Sequence, residues 1–160
     1  MTAQESHGIG SGTDLSDFMV VVVGAHLRAE VADRPLAYGL CERINQWFKR
    51  HGRDADLALQ PVVCSDVWYV NQPPLQQRPT ISLGGPGVNA LSAYYANKLP
   101  SALVHDDHMV IQLDPEYVDL RVSIWGVNHE LTVAALALFT DRYFDDYLQA
   151  VATQVEPHEG

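Results

Sequence analysis

Thr80-Ile-Ser-Leu-Gly-Gly-Pro-Gly-Val-Asn-Ala90 is the stretch on which the reading of this chain turns. Four residues of strand character, Thr80 to Leu83, run into Gly84, Gly85, Pro86 and Gly87. A helix-forming run follows from Val88 to Leu99, and Pro100 stops it. A strand that breaks into glycines and restarts as a helix leaves backbone N–H groups unpaired at the helix start, an arrangement suited to an anion. The centre of any site is expected here.

Working outward, Phe18-Met-Val-Val-Val-Val-Gly24 is a continuous apolar run closed by glycine. A strand buried on both faces of a parallel sheet has this pattern. Ala25 to Asp33 reads as a polar loop, with Asp33 as an N-cap and Pro35 in the first helical turn. Leu36, Leu40, Ile44, Trp47 and Phe48 then fall on one helical face, and Gly52 closes the helix after Lys49, Arg50 and His51. Leu57 to Cys64 reads as a strand kept short or at an edge by Pro61. Val67-Trp-Tyr-Val70 is a further strand or a helical turn, and Asn71 to Pro79 is loop. Met109 to Leu113 and Leu120 to Trp125 are strands; Asn128 caps a last helix running to about Ala152. Alternation of strands and helices predicts a three-layer α/β domain over residues 17–152. The sheet is expected to be mostly parallel, with about five to six strands and three main helices. Residues 1–16 and 153–160 are expected as disordered tails.

The chain of 160 residues has 47% hydrophobic and 19% charged residues, values of an ordinary globular domain. Its net charge of −10 argues against a nucleic-acid partner, which requires a basic face. One small anion remains compatible, because a helix start and a single arginine are locally positive. Cys41 and Cys64 make neither a disulfide scaffold nor a zinc site. No signal peptide or membrane-length apolar run is visible, so a cytoplasmic protein without a membrane partner is expected.

In parallel sheets ligands sit beyond the carboxyl ends of the strands. By this reading those ends carry Gly24-Ala-His26, Ser65-Asp66, Gly84 to Gly87, Asp114 and Trp125-Gly-Val-Asn128. His26, Asp66 and Asp114 are the candidate acids or bases. Arg28, Gly84, Gly85, Gly87, Asn89, Trp125 and Asn128 are the candidate ligand contacts, Arg28 through its two-pronged guanidinium and Trp125 by stacking on a ring. Gly85-Pro-Gly-Val-Asn-Ala90 fits G-x-G-x-x-A, one form of the dinucleotide fingerprint. It lies too late in the chain for that motif, and Asp114 only loosely meets the expected acidic position. A tight turn whose glycines serve packing alone is the other reading of the loop. His105-Asp-Asp-His108 reads as a solvated turn, and no metal is expected; no cofactor can be named.

Gly84-Gly-Pro86 with Asn89, then Trp125-Gly126 with Thr132 and Ala135, resembles a pattern in the Rossmann-like domains of archaeal surface-layer proteins and bacterial cell-wall-binding repeats. That resemblance implies a Rossmann-like sheet with the glycine loop at its switch point. Cell-wall binding is not carried over.

Three functions follow. The first is a binding domain for an anionic small-molecule ligand, nucleotide-like or a sugar phosphate. The second is a hydrolase or transferase acting on a nucleotide or glycosidic bond in the same cleft. The third is a non-catalytic interaction domain, self-associating as a homo-oligomer, whose glycine loop is only structural.

Overall fold

A computed structural model describes residues 17–51 and 59–154. The expected tail over residues 1–16, the stop at Gly52 and the strand start at Leu57 lie outside them. Six strands form one sheet: β1 (Phe18–Val23), β2 (Gln60–Ser65), β3 (Thr80–Leu83), β4 (Ser101–His105), β5 (Met109–Leu113) and β6 (Arg121–Gly126). The α-helices among the described residues are five where three main ones were expected, α1 (Leu27–Arg50), α2 (Asp66–Val70), α3 (Ala90–Tyr95), α4 (His129–Arg142) and α5 (Phe144–Gln154), and a 3-10 helix at Pro73–Gln77 lies within the stretch expected as loop.

The spatial order is β2-β1-β3-β6-β5-β4. The β1–β2, β1–β3 and β3–β6 pairings are parallel, whereas β5 runs antiparallel to both β6 and β4. The α/β, mostly parallel architecture expected from the alternation of elements is therefore present. After β1 the chain moves to one side for β2 and returns to the other for β3, so the winding reverses between β1 and β3.

β1 is buried along its whole length, which explains its unbroken apolar run. Met19, Val21 and Val23 pack into a cluster with α1 residues Leu40, Ile44, Trp47 and Phe48 and with Phe139, Tyr147 and Leu148 of α4 and α5. Phe18, Val20 and Val22 face the other way, against Tyr69 of α2 and Leu91 and Tyr95 of α3. Period-two alternation thus feeds two separate cores from one strand.

Several local expectations are corrected. α1 starts at Leu27, capped by His26, so Asp33 is no N-cap and Pro35 lies in the helix interior. Leu27-Arg-Ala-Glu-Val-Ala is rich in strong helix formers, and the proline cost of about 3 kcal/mol is carried by packing elsewhere along the helix. Val67 to Val70 is helical, started by Ser65, whose hydroxyl accepts from the Trp68 amide. β4 was not expected; its residues are mostly exposed, so they lack a core pattern, and it forms an edge. The Asp106-Asp107 turn joining it to β5 has φ of 51° and 57°, the doubly left-handed geometry of tight hairpins. The last helix divides at Tyr143 and reaches Gln154, beyond the expected end. α4 buries Thr132, Ala135 and Phe139, whereas α5 buries Phe144, Tyr147, Leu148 and Val151. The step from 139 to 144 would rotate the apolar face by about 140° on a continuous helix, and the break realigns it.

Gly24 ends β1 where a side chain has no room: a Cβ there would overlap the Val88 carbonyl. Gly39, by contrast, is exposed in α1 with nothing within 4 Å of an added Cβ. Gly24→Ala is expected to destabilise the protein by about 2–3 kcal/mol, an overpacking cost. Gly39→Ala should stabilise it by about 0.5–1 kcal/mol. Urea melts of the two variants beside the parent check both signs.

Candidate functional site

Three carboxyl-terminal strand exits meet at the winding reversal. Arg28, Val31 and Asp33 from α1, Gly85 to Val88 after β3, and Trp125 to His129 after β6 line one cavity of about 710 Å³. Leu27, Ala29, Ala32 and Thr132 complete its wall, which is mostly apolar. A second cavity of about 620 Å³ lies along α1, α4 and α5, lined by residues such as Glu42, Arg43, Arg50 and Asp145, and no strand end reaches it.

The geometry around the glycine loop follows from two buried polar side chains. Asp66 Oδ1 accepts from the Ala25 and Val67 amides at 3.0 and 2.7 Å, and Oδ2 accepts from the Ala90 amide at 2.7 Å. Asn89 Oδ1 accepts from the Leu91 and Ser92 amides, while its Nδ2 donates to Val22 O, Ser82 Oγ and Leu83 O. The start of α3 is therefore already filled. The bare helix-start amides expected after the glycines are held by Asp66 and Asn89, because short polar side chains reach them before any ligand does. What stays open is the loop itself: the Gly85 and Gly87 amides make no hydrogen bond among the described residues. A Cβ on Gly87 would meet nothing within 4 Å, and one on Gly85 would touch Trp125 at an ordinary 3.6 Å.

The other candidates divide in the same way. Arg28, Trp125 and Asn128 reach the cavity, and Asn128 Oδ1 also caps the Leu131 amide. His26 is exposed and outside the cavity wall; its Nδ1 accepts from the Arg28 amide as a cap. Asp66 is a structural clamp, and Asn89 a structural bracket. Asp114 lies at the opposite rim, because β5 runs against β6 and ends beside Val122. There its oxygens accept from the Asp119, Glu116 and Val118 amides, which hold its pKa below the usual carboxylate value. All three proposed acid–base residues thus have local structural roles. Gly84 serves the backbone, with φ of 110° and Asp33 Oδ2 lying 2.6 Å from where its Cβ would be.

Asp33, expected as an N-cap, is an interior helix residue that lines the cavity. It is 5% exposed and makes no hydrogen bond among the described residues. Burial raises its pKa from 3.8, and the facing His129 partly offsets this. Ala29, Asp33, Ala37, Leu40 and Ile44 are buried along one stripe of α1, so a lone acid within an apolar i, i+4 row was the readable sign. Nearby, Trp125 Nε1 is buried without a partner. The first amides of α4, His129 and Glu130, also make no hydrogen bond among the described residues.

Cys41 and Cys64 are free and buried, and burial pushes their thiols up to about 11 and about 12, away from nucleophilic use. No group of metal ligands occurs among the described residues. No helix among them is long and apolar enough to cross a membrane. Comparison with protein-family models, with curated proteins and with solved structures gives no match.

Two outcomes follow. Asp66→Asn replaces an oxygen that accepts an amide with a group that cannot, and is expected to cost about 2–3 kcal/mol in a urea melt. Asp33 has its native pKa above the unfolded 3.8, so its contribution to stability falls as pH rises from about that value through the native pKa. Asp33→Asn should therefore be more stable than the parent at pH 7, with the gain vanishing below about pH 4. Paired melts across that range measure it.

Proposed function

We propose that this chain is a small-molecule binding domain with a Rossmann-like, three-layer build. Its ligand is anionic, nucleotide-like or a sugar phosphate, and sits in the crevice beyond β1, β3 and β6. The observation that carries the reading is the convergence of three strand exits on one cavity at the winding reversal, the usual ligand position in open α/β sheets. The anion is taken up by the Gly85 and Gly87 amides, the first amides of α4 and the Arg28 guanidinium. Trp125 supplies a flat wall for a ring. This moves the anion off the α3 helix start, which Asp66 and Asn89 occupy.

A specific observation favours interaction with another protein as the second reading. Leu27, Val31 and Val127 stand at the cavity mouth 75%, 72% and 54% exposed. An apolar rim of this kind suits a contact surface. Concentration-dependent growth of the particle in light scattering, abolished by Val31→Lys, would favour it over ligand binding.

Thermal unfolding against a panel of nucleotides and sugar phosphates tests the first reading. A ligand at about a hundred times its Kd adds about 2.7 kcal/mol and raises Tm by several degrees. Gly87→Ala should change intrinsic stability by less than about 0.5 kcal/mol, since its Cβ meets open space. It should nonetheless shrink the ligand-induced shift, by holding the ligand off the backbone. A flat panel sinks the reading.

A further inference from the structure

The floor and mouth of the crevice differ in chemistry. At the mouth lie donors: the Gly85 and Gly87 amides, the start of α4 and Arg28. At the floor lies one acid, Asp33, nine-tenths buried and without a hydrogen bond among the described residues. Its carboxyl oxygens are not among the enclosed atoms and so open into the crevice, where a largely desolvated acid is costly to keep; a fold that needed only a filled helix face would place an apolar residue there. The neighbouring backbone makes room for it. Gly84 is left-handed, and any side chain at that position would run into Asp33 Oδ2.

We propose that Asp33 is the specificity-determining residue of this crevice, taking through its two oxygens a pair of adjacent hydrogen-bond donors on the ligand. The inference rests on the reading of the crevice as an anion-plus-ring site and names which ligands qualify. They carry an anion at one end and a donor pair at the other, across a ring that lies against Trp125. Two adjacent sugar hydroxyls present such a pair, and so does a base edge with a ring N–H beside an amino group. A site built to hydrogen-bond these groups rejects analogues lacking them, because the carboxyl is then left unpaired.

The charged and titratable surroundings leave this role to Asp33. His129 on α4 is the titratable group facing it. Glu30 and Arg34 on its own helix pair with each other at 3.0 Å. Asp66 is committed to the Ala25, Val67 and Ala90 amides.

Calorimetry at pH 7 with guanosine monophosphate, its dideoxy analogue and inosine monophosphate, on the parent and on Asp33→Asn, decides the matter. The parent should bind guanosine monophosphate and lose at least tenfold in affinity for one analogue. Loss with the dideoxy compound assigns the pair to the sugar, and loss with inosine monophosphate to the base edge. Asp33→Asn should lose at least tenfold for guanosine monophosphate and nothing more for the discriminating analogue. Equal binding of all three by the parent overturns the proposal, as does a variant that discriminates as the parent does. In either case binding itself still supports the anion-plus-ring reading. No binding of any of the three by the parent overturns the proposal, while the wider panel of nucleotides and sugar phosphates decides the reading of the crevice separately. If Asp33→Asn fails to fold, discrimination by the parent still supports the proposal, and indifference overturns it.

Discussion

The Asp66 carboxylate holds together the parts on which this architecture depends. One oxygen accepts the amide just after β1 and the other accepts the amide opening α3. The same side chain sits at the start of α2, where it also accepts from Val67. Three elements far apart in sequence are thereby pinned at one point by charge-assisted hydrogen bonds, each stronger than a neutral one. Close to that point, Gly24 lets the Val88 carbonyl touch β1 directly. Together these contacts hold the ends of β1 and β3 close and so shape the crevice between them.

This arrangement separates structural from available polar groups. Amides that would otherwise attract an anion at α3 are consumed by Asp66 and Asn89. Amides a few residues earlier, in the glycine loop, are left. Such a division stabilises the empty protein, because the buried amides are satisfied without a ligand, while the solvated ones cost little to leave open. Asp33 breaks the pattern. The residue as a whole is buried, yet its carboxyl oxygens open onto the crevice and make no hydrogen bond among the described residues, so they are held ready for a ligand at some cost in stability.

Much of the fold was legible in residues 18–24 and 80–90, because a continuous apolar run and a strand–glycine–helix junction have few other structural solutions. Of the strand ends named from the sequence, Gly85 to Gly87 and Trp125 to Asn128 do converge, whereas Gly24 to His26, Ser65-Asp66 and Asp114 stay outside the cavity wall. Less legible were features set by tertiary context. β4 lies exposed at an edge, and its apolar run Ala102-Leu-Val104 is too short to announce a strand. Whether β5 ran with or against β6 decided the place of Asp114, and nothing local encodes strand direction. Pro35 was read as a helix start since proline is tolerated there, yet α1 begins eight residues earlier on helix-forming residues and the His26 cap. With the helix start placed at Pro35, Asp33 becomes a cap and its place in the buried stripe of α1 is hidden. Asp66 was recognised as a polar residue at a strand end, but its partners lie 41 and 24 residues away, beyond any local pattern.

The hairpin of β4 and β5 reaches the crevice lip through the β5–β6 ladder and one bond beyond its end. The Val127 amide donates to the His108 carbonyl at 2.9 Å, and Met109 is in register with Gly126. Its left-handed aspartate tip is thus fastened to the lip formed by the β6–α4 segment. Val110 of β5 is itself in register with Trp125, so the hairpin and the tryptophan wall of the crevice belong to one ladder, and a change of length at the aspartate tip reaches the ring through the sheet.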